Sequence, residues 1–349
     1  MTPDNEKPGS EAELVALFKS LFEPEMPPTD LLIGIGDDAA AFEPGVDPET
    51  KFVVTADMLV EDVHFRRKSH SFYDIGWRTS VANISDIAAM GARPRWGVVT
   101  LAAPDGMTTD DIMELALGLK EPMSEHDALI IGGDLTRSPD RISISMTIVG
   151  ETTSRLLTRS GAQLGDVIAV TGSLGASAAG IYLMGHSGED VPDDLRKRLI
   201  DIHLRPHPRV HAGEVFSNID GIHSMMDISD GIGIDLGRIC AASGTGARIM
   251  EESIPINEDV KSLCGLTGLD PLQFINGGED FELLVTGDYA AIEHARKVFE
   301  NDPDQPSLTI IGEIIDHPFG INMARIDGSV VNPANLGWDH FKKQEDTDG

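Results

Sequence analysis

The stretch GETTSRLLTRSGAQLGD, residues 150–166, decides how this chain divides. An alternating apolar run, ISISMTIV at residues 142–149, precedes it, and a second apolar run, VIAVTG at 167–172, follows. The stretch itself is polar and carries Gly161 and Gly165, the marks of a connection between two strand-like segments. Residues 1–150 are therefore expected to form one unit and residues 151–349 another. A chain of 349 residues is long enough for two domains of ordinary size.

On the N-terminal side, Ser10 and Glu13 form a capping box for a first helix that stops near Pro24. Strands are expected at 31–35 and 51–56, then a long amphipathic helix from Asp74 to Met90, ended by Gly91 and Pro94. A strand (WGVVTLAA), a helix beginning near Thr109 and strands at 129–131 and 142–149 complete an α+β unit with an antiparallel or mixed sheet. On the C-terminal side, VIAVTG leads into a Gly/Ala/Ser-rich helix start, GSLGASAAGIYLM. After the Pro-marked LRPHPR comes a strand into MMDISDG, a helix to Ser243 capped by Gly244, and strand-like FELLVT and LTIIGEI.

Composition narrows the function. No segment approaches the roughly 18–20 unbroken apolar residues of a membrane span. The opening MTPDNEKPGSEAE resembles neither a secretory signal nor an Arg-rich transit peptide, so a cytoplasmic protein is expected. The two cysteines, Cys240 and Cys264, form no CxxC pair, which speaks against a disulfide framework or a thiolate metal site. A net charge of −31 opposes a nucleic-acid or anionic-membrane partner, and it suits a salt-rich cytoplasm.

That acidity is organised. Carboxylates stand at the ends of apolar segments: Asp37 and Asp38 in LLIGIGDDAAAF, Asp57 in VVTADML, Asp134 in IIGGDLTRS, and Asp227 and Asp230 in SMMDISDG. Each alone fits a solvated turn or a helix cap. Asp86, in VANISDIAAMG, is the most telling, because a carboxylate near a helix C-terminus meets the negative end of the macrodipole. Apolar neighbours add a desolvation cost, and a bound cation would reverse both effects. Five segments of one design point to a site for several metal ions, and all-oxygen donors suit Mg²⁺. Phosphoryl transfer between anionic substrates needs such cations, yet the chain has no P-loop, no GxGxxG after a strand and no kinase HRD or DFG motif. The N–H groups of GSLGAS could hold an anion, although tight strand–helix packing explains its glycines equally well. Glu214, Asp235 and the tail QEDTDG read as solvated surface.

Eight motifs in order (GIGDDAA, TADMLVEDVHF, VANISDIAAMGARP, GGDLTRS, LTRSGAQLGDVIAVTGSLG, MDISDGI, NGGEDFELL and GWDHF) resemble the thiamine-monophosphate kinase family from Leu31 to Phe341. The resemblance implies an α/β (α+β), two-domain fold like aminoimidazole ribonucleotide synthetase. Its N-terminal domain would dimerise through its sheet, and its C-terminal α/β domain would complete the active site. It implies ATP and thiamine monophosphate as substrates, several Mg²⁺ ions, K⁺ as a candidate further cation, a homodimer, and direct in-line transfer with no covalent nucleophile. Carried over by residue, it makes Asp38, Thr55, Asp57, Asp86, Asp134, Asp227 and Asp230 metal ligands, with Ala56 lending its backbone carbonyl. Gly133, Asp134, Arg159 and Ser229 would contact ATP, and His64, Glu279 and Trp338 the thiamine phosphate. Gly277 and Gly278 would let the backbone approach the ligand. His64 and Trp338 also read as packing residues, and Arg159 as a surface arginine.

Two departures stand out. Asp62 replaces a usual glycine, so that turn is expected not to need a glycine-only conformation. Ala116 falls near an aromatic position, so adenine would rest on apolar packing instead. The nearest alternatives are a formylglycinamidine cyclase or a selenophosphate synthetase. The second would carry a reactive N-terminal cysteine, and no cysteine precedes Cys240. An inactive binding protein would gain nothing from clustered, unpaired carboxylates.

Overall fold

The computed structural model describes residue 17 and residues 20–22, 31–33, 41–42 and 49–333. Asp37, Asp38 and Trp338 lie outside the described residues. The chain forms two units, one from the residues up to Leu157 together with Leu204–Asp220, the other from Thr158–His203 and from Gly221 onward. The first break falls inside the connecting stretch 150–166. The return of residues 204–220 to the first unit has no counterpart in a single boundary at residue 150.

In the first unit, β1 (Leu31–Ile33) pairs antiparallel with β2 (Ala41–Phe42). Then come β3 (Lys51–Val60), α1 (Phe72–Ala89), β4 (Arg93–Pro104), α2 (Thr109–Glu125), β5 (Leu129–Ser138) and β6 (Ser143–Thr152). The sheet order is β3-β6-β4-β5, antiparallel except for the β4–β5 pair, which α2 connects as a βαβ crossover. Strict alternation explains β6: Ile144, Met146 and Ile148 are fully buried, with Ser145 and Thr147 between them on the other face. Both helices start on capping boxes, Ser71 with Asp74 and Thr108 with Asp111. They cross with backbones nearly touching, because a Cβ on Gly76 would collide with the Leu115 carbonyl and one on Gly118 with that of Tyr73. Ile75, Ile84, Ile87, Leu115 and Met123 fill the core between helices and sheet.

The second unit begins with β7 (Val167–Thr171), α3 (Ala176–Gly185) and α4 (Asp193–Leu204). The chain then revisits the first unit as α5 (Val210–Ser217), which closes on α1. A Cβ on Gly213 would strike the Ala88 carbonyl, and Trp77 Nε1 donates to the Pro206 carbonyl at 2.8 Å. The second unit continues with β8 (Ile222–Asp227), α6 (Ile232–Ser243), β9 (Thr245–Met250), α7 (Glu258–Thr267), α8 (Leu272–Ile275), β10 (Leu283–Gly287), α9 (Tyr289–Glu300), β11 (Leu308–Asp316), β12 (Ile321–Ala324) and β13 (Val330–Val331). Its sheet runs β13-β12-β9-β11-β7-β10-β8, with β9–β12 the parallel pair. Gly244 ends α6 with φ +68°, the left-handed C-cap the sequence implied. No helix of the described residues is long and apolar enough to cross a membrane.

Candidate active site

In the first unit, β3 and α1 carry the polar groups. Residues 53, 55, 57 and 59 of β3 turn towards α1, whose Thr79, Asn83 and Asp86 recur at helical spacing on one face. Thr55 Oγ1 donates to Asp86 Oδ2 at 2.6 Å. The Asp57 N–H donates to Asn83 Oδ1 at 2.9 Å, and the Asp57 carbonyl accepts from Ser145 Oγ at 3.1 Å. Buried Asn83 is itself anchored on the Thr79 carbonyl at 2.9 Å. Asp86 lies in the last turn of α1, which contains no basic residue to answer the helix dipole. Carboxylate and hydroxyl oxygens with no nitrogen or sulfur donor make a set that fits a hard cation such as Mg²⁺. Thr55, Asp57 and Asp86 would hold it.

Beyond β3 the chain turns through EDVHF. The Val60 N–H donates to His64 Nδ1 at 3.0 Å, so the proton of the neutral ring sits on Nε2. Buried Glu61 accepts from Arg67 at 2.5 Å and from the Ile142 N–H at 3.0 Å. Burial works to raise its pKa, but these donors hold it below the ordinary value. Asp62 agrees with the expectation that this turn does not need a glycine-only conformation, although its φ of +65° lies in the left-handed region. Asp tolerates that region because its short polar side chain bonds locally, and here it pairs with Arg141.

Gly133 and Asp134 lie elsewhere. They sit on β5, at the opposite edge of the sheet from β3, and three strand spacings, roughly 14 Å, separate the two strands. Asp134 is exposed beside Thr100, on the face away from the core that Leu135 meets. A Cβ on Gly133 would run into the Val99 carbonyl, so this glycine serves a close strand contact. Ala56 is exposed and lies opposite Thr147 in the β3–β6 ladder. Ala116 is 1% exposed in the first unit's core, which corrects its expected place against adenine.

The second unit gathers Asp227, Ser229, Asp230 and Glu279. Buried Asp227 ends β8, and the turn to α6 is gripped by the segment 278–282. The Glu279 N–H donates to the Ser229 carbonyl at 2.8 Å, the Phe281 N–H to Ile228 at 3.0 Å, and the Ile228 N–H to Glu282 at 2.7 Å. Gly278, with φ +76°, lets that segment pass, since a Cβ there would collide with the Ser229 carbonyl. Gly277 has the Ala178 Cβ in the same position. Both glycines therefore serve packing within the unit.

Asp235 is fully buried, so its reading as solvated surface is wrong. Its Oδ2 accepts the N–H groups of Ser229 and Asp230 at 3.1 and 3.0 Å, and its Oδ1 takes Arg238 at 2.7 Å. Arg238 also pairs with Asp230 at 2.5 Å. Burial, with Asp230 beside it, pushes the Asp235 carboxyl up to about 7. Its position in the first turn of the helix after the DISDG turn was the available signal. The GSLGAS turn holds a carboxyl group from its own chain: Asp280, its pKa pushed up to about 8 by burial, accepts from Gly175 N at 2.9 Å and, more loosely, from Ser177 N at 3.5 Å. Ser177 Oγ lies 3.0 Å from His203 Nδ1, and that nitrogen lies 3.7 Å from Glu279 Oε2. Arg159 is exposed, and its carbonyl accepts from Ser243 Oγ at 3.2 Å.

Within the first unit the motif residues form an α1–β3 group with Asp134 apart from it, and within the second they form a β8–α6 group, with Arg159 bonded at the far end of α6. Among the described residues, the expected carboxylates do not form, on their own, a group of three close enough to share one ion.

Comparison with known proteins follows this geometry. The models for the N-terminal and C-terminal domains of AIR synthase related proteins match residues 36–152 and 163–321. Thiamine-monophosphate kinase of Rhodopirellula baltica is 36% identical over 81% of this chain and 83% of its own. The crystal structure of thiamine-monophosphate kinase from Stenotrophomonas maltophilia is 35% identical, with a TM-score of 0.79 over 92% of this chain and 98% of that one. A structure of AaThiL complexed with AMPPCP and TMP is 31% identical, with a TM-score of 0.73 over 95% and 97% of the two chains.

Proposed function

From the premise that the chain belongs to the thiamine-monophosphate kinase family, we propose that it transfers the γ-phosphoryl group of ATP to thiamine monophosphate, giving thiamine diphosphate and ADP. The observation that carries this reading is the AaThiL complex, in which a relative matching 95% of this chain is complexed with AMPPCP, an ATP analogue, and TMP.

The residues suit the chemistry. A phosphate monoester is largely ionised near neutral pH, with a second pKa of about 6, so the acceptor oxygen needs no strong general base. A Ser–His or Cys–His nucleophile pair is not required either. Bound Mg²⁺ would cancel repulsion between the two anionic substrates and stabilise the equatorial oxygens. Thr55, Asp57 and Asp86 would hold it in the first unit and Asp227 and Asp230 in the second, with Asp38 and the Ala56 carbonyl as further ligands, while Asp134, on the opposite edge of the first sheet, is out of reach of an ion on Thr55 and Asp57. K⁺ is a further candidate cation. The buried Asn83 fixes the β3 backbone at Asp57, so the carboxylate is carried on a rigid strand rather than a loop. Gly133, Arg159 and Ser229 would contact ATP, and His64, Glu279 and Trp338 the thiamine phosphate. A second copy would dock on the outer face of the first sheet, where Phe52, Val54 and Met58 are 42%, 64% and 55% exposed. Absence of a membrane-crossing helix among the described residues agrees with work in the cytoplasm.

The test is incubation of the purified protein with ATP, Mg²⁺ and thiamine monophosphate, following ADP and thiamine diphosphate. Equal amounts of both products are expected. ADP release that ignores thiamine monophosphate but responds to formylglycinamidine ribonucleotide would assign the chain to the cyclase instead.

A further inference from the structure

The other end of the second unit's sheet carries a second polar grouping. β7, β10 and β8 lie side by side in that order, and three ligand-type side chains meet where Asp166 precedes β7, Asp288 follows β10 and His223 enters β8. One ligand atom from each lies within 4.8 Å of the others. His223 Nδ1 stands 2.9 and 3.0 Å from the two oxygens of buried Asp166, whose Oδ2 also accepts from the Gln163 N–H at 2.8 Å. Asp227 is four residues further along β8, roughly 13 Å away, so this grouping is separate from the β8–α6 site.

Two independent features aim these groups at a common point. On β8, Ser224 pairs with Thr286 and Ile222 with Gly287, which leaves His223 as the extra residue of a β-bulge. A bulge re-aims a side chain at some cost to the ladder. Asp288 occupies the N-cap of α9, where a carboxylate ordinarily accepts a helix N–H, yet it makes no capping bond. Its carboxylate instead stands over Gly221, where a Cβ would approach Oδ2 to 2.9 Å. Among the described residues no lysine or arginine pairs with Asp166 or Asp288 to neutralise the two carboxylates.

We propose that Asp166, His223 and Asp288 bind one transition-series divalent cation, with Zn²⁺ as the representative ion. One imidazole nitrogen and two carboxylates make a borderline donor set that suits zinc-like ions better than the all-oxygen set of the candidate active site. In tetrahedral coordination two ligands about 2.1 Å from zinc stand about 3.4 Å apart, so the His223–Asp166 pair, now 2.9–3.0 Å apart, has to open by only about half an ångström to admit the ion. The ion takes the place of the Nδ1 proton, and it ties together the ends of three neighbouring strands.

The full-length protein, stripped of metal and held in excess Mg²⁺ to fill hard-oxygen sites, is titrated with Zn²⁺ by calorimetry. A parallel Co²⁺ titration reports nitrogen coordination by visible absorption. One Zn²⁺ per chain is expected, with affinity at least about tenfold lower in Asp288→Asn and in His223→Gln. Mg²⁺-dependent turnover stays at the wild-type level in both. Asp288 is exposed, so its variant retains the fold and keeps the test decisive even if His223→Gln does not fold. No Zn²⁺ uptake by the wild type, or equal affinity in Asp288→Asn, overturns the assignment.

Discussion

Asp62 holds a backbone conformation with φ +65° that most side chains avoid, and it does so with an N–H bond to the Phe65 carbonyl at 2.7 Å. Asp62→Gly should stay within about 0.5 kcal/mol of wild type in urea unfolding, because glycine enters that region freely. Asp62→Val should lose about 1–3 kcal/mol, since a β-branched residue there is strained. Equal stability of the two variants would refute the argument. Asp235 makes a pH prediction. Its pKa lies near 3.9 in the unfolded chain and is raised to about 7 by burial in the folded one. The folded state therefore holds the extra proton between those values. Stability contributed by that proton is complete below about pH 4 and is lost as pH rises through 7, at up to about 1.4 kcal/mol per pH unit. Asp235→Asn should flatten that decline in urea midpoints measured across the window. An unchanged slope would place the carboxylate in an ordinary environment. Asp62 and Asp235 mark the limit of reading single letters: a backbone angle and burial are set by neighbours in space, and neither is written in a residue's type.

Elements were easier to read where one face is buried. The Ile144–Met146–Ile148 alternation of β6 and the capped ends of α1 and α2 follow from local rules, so they could be placed from the chain alone. Strand ends were not as legible. β3 continues to Val60 and β5 to Ser138, because cross-strand pairing carries both past the point where the apolar run stops. The α1–α2 contact was invisible, although both of its glycines stood in plain view. Gly118→Ala should destabilise the protein by about 1–3 kcal/mol, as a methyl group cannot enter without separating the two helix backbones. Chemical denaturation measures this, and a neutral or stabilising result, as helix propensity alone would give, would show that the helices can separate at no cost.

At the scale of the whole molecule, 58 acidic against 27 basic residues give a net charge of −31, which repels itself in the folded state. Raising KCl from about 0.05 to about 1 M should therefore raise the urea midpoint, since screening shortens the range of repulsion to a few ångströms. A midpoint that does not move would mean that ion pairs such as Arg198 with Asp194 and Asp259 already balance the charge locally. The order of motifs along the chain determined the family, the two α/β units and the residue types of the candidate site, because strand alternation, helix caps and hard-oxygen ligands are properties of short segments. Tertiary structure alone decided which residues share a place. It joined Thr55 to Asp86 and moved Asp134 to the far edge of the sheet. It returned residues 204–220 to the first unit and buried Asp235 beneath the DISDG turn. Strand order and helix packing are long-range outcomes of burying apolar faces, and many chain separations satisfy the same local pattern.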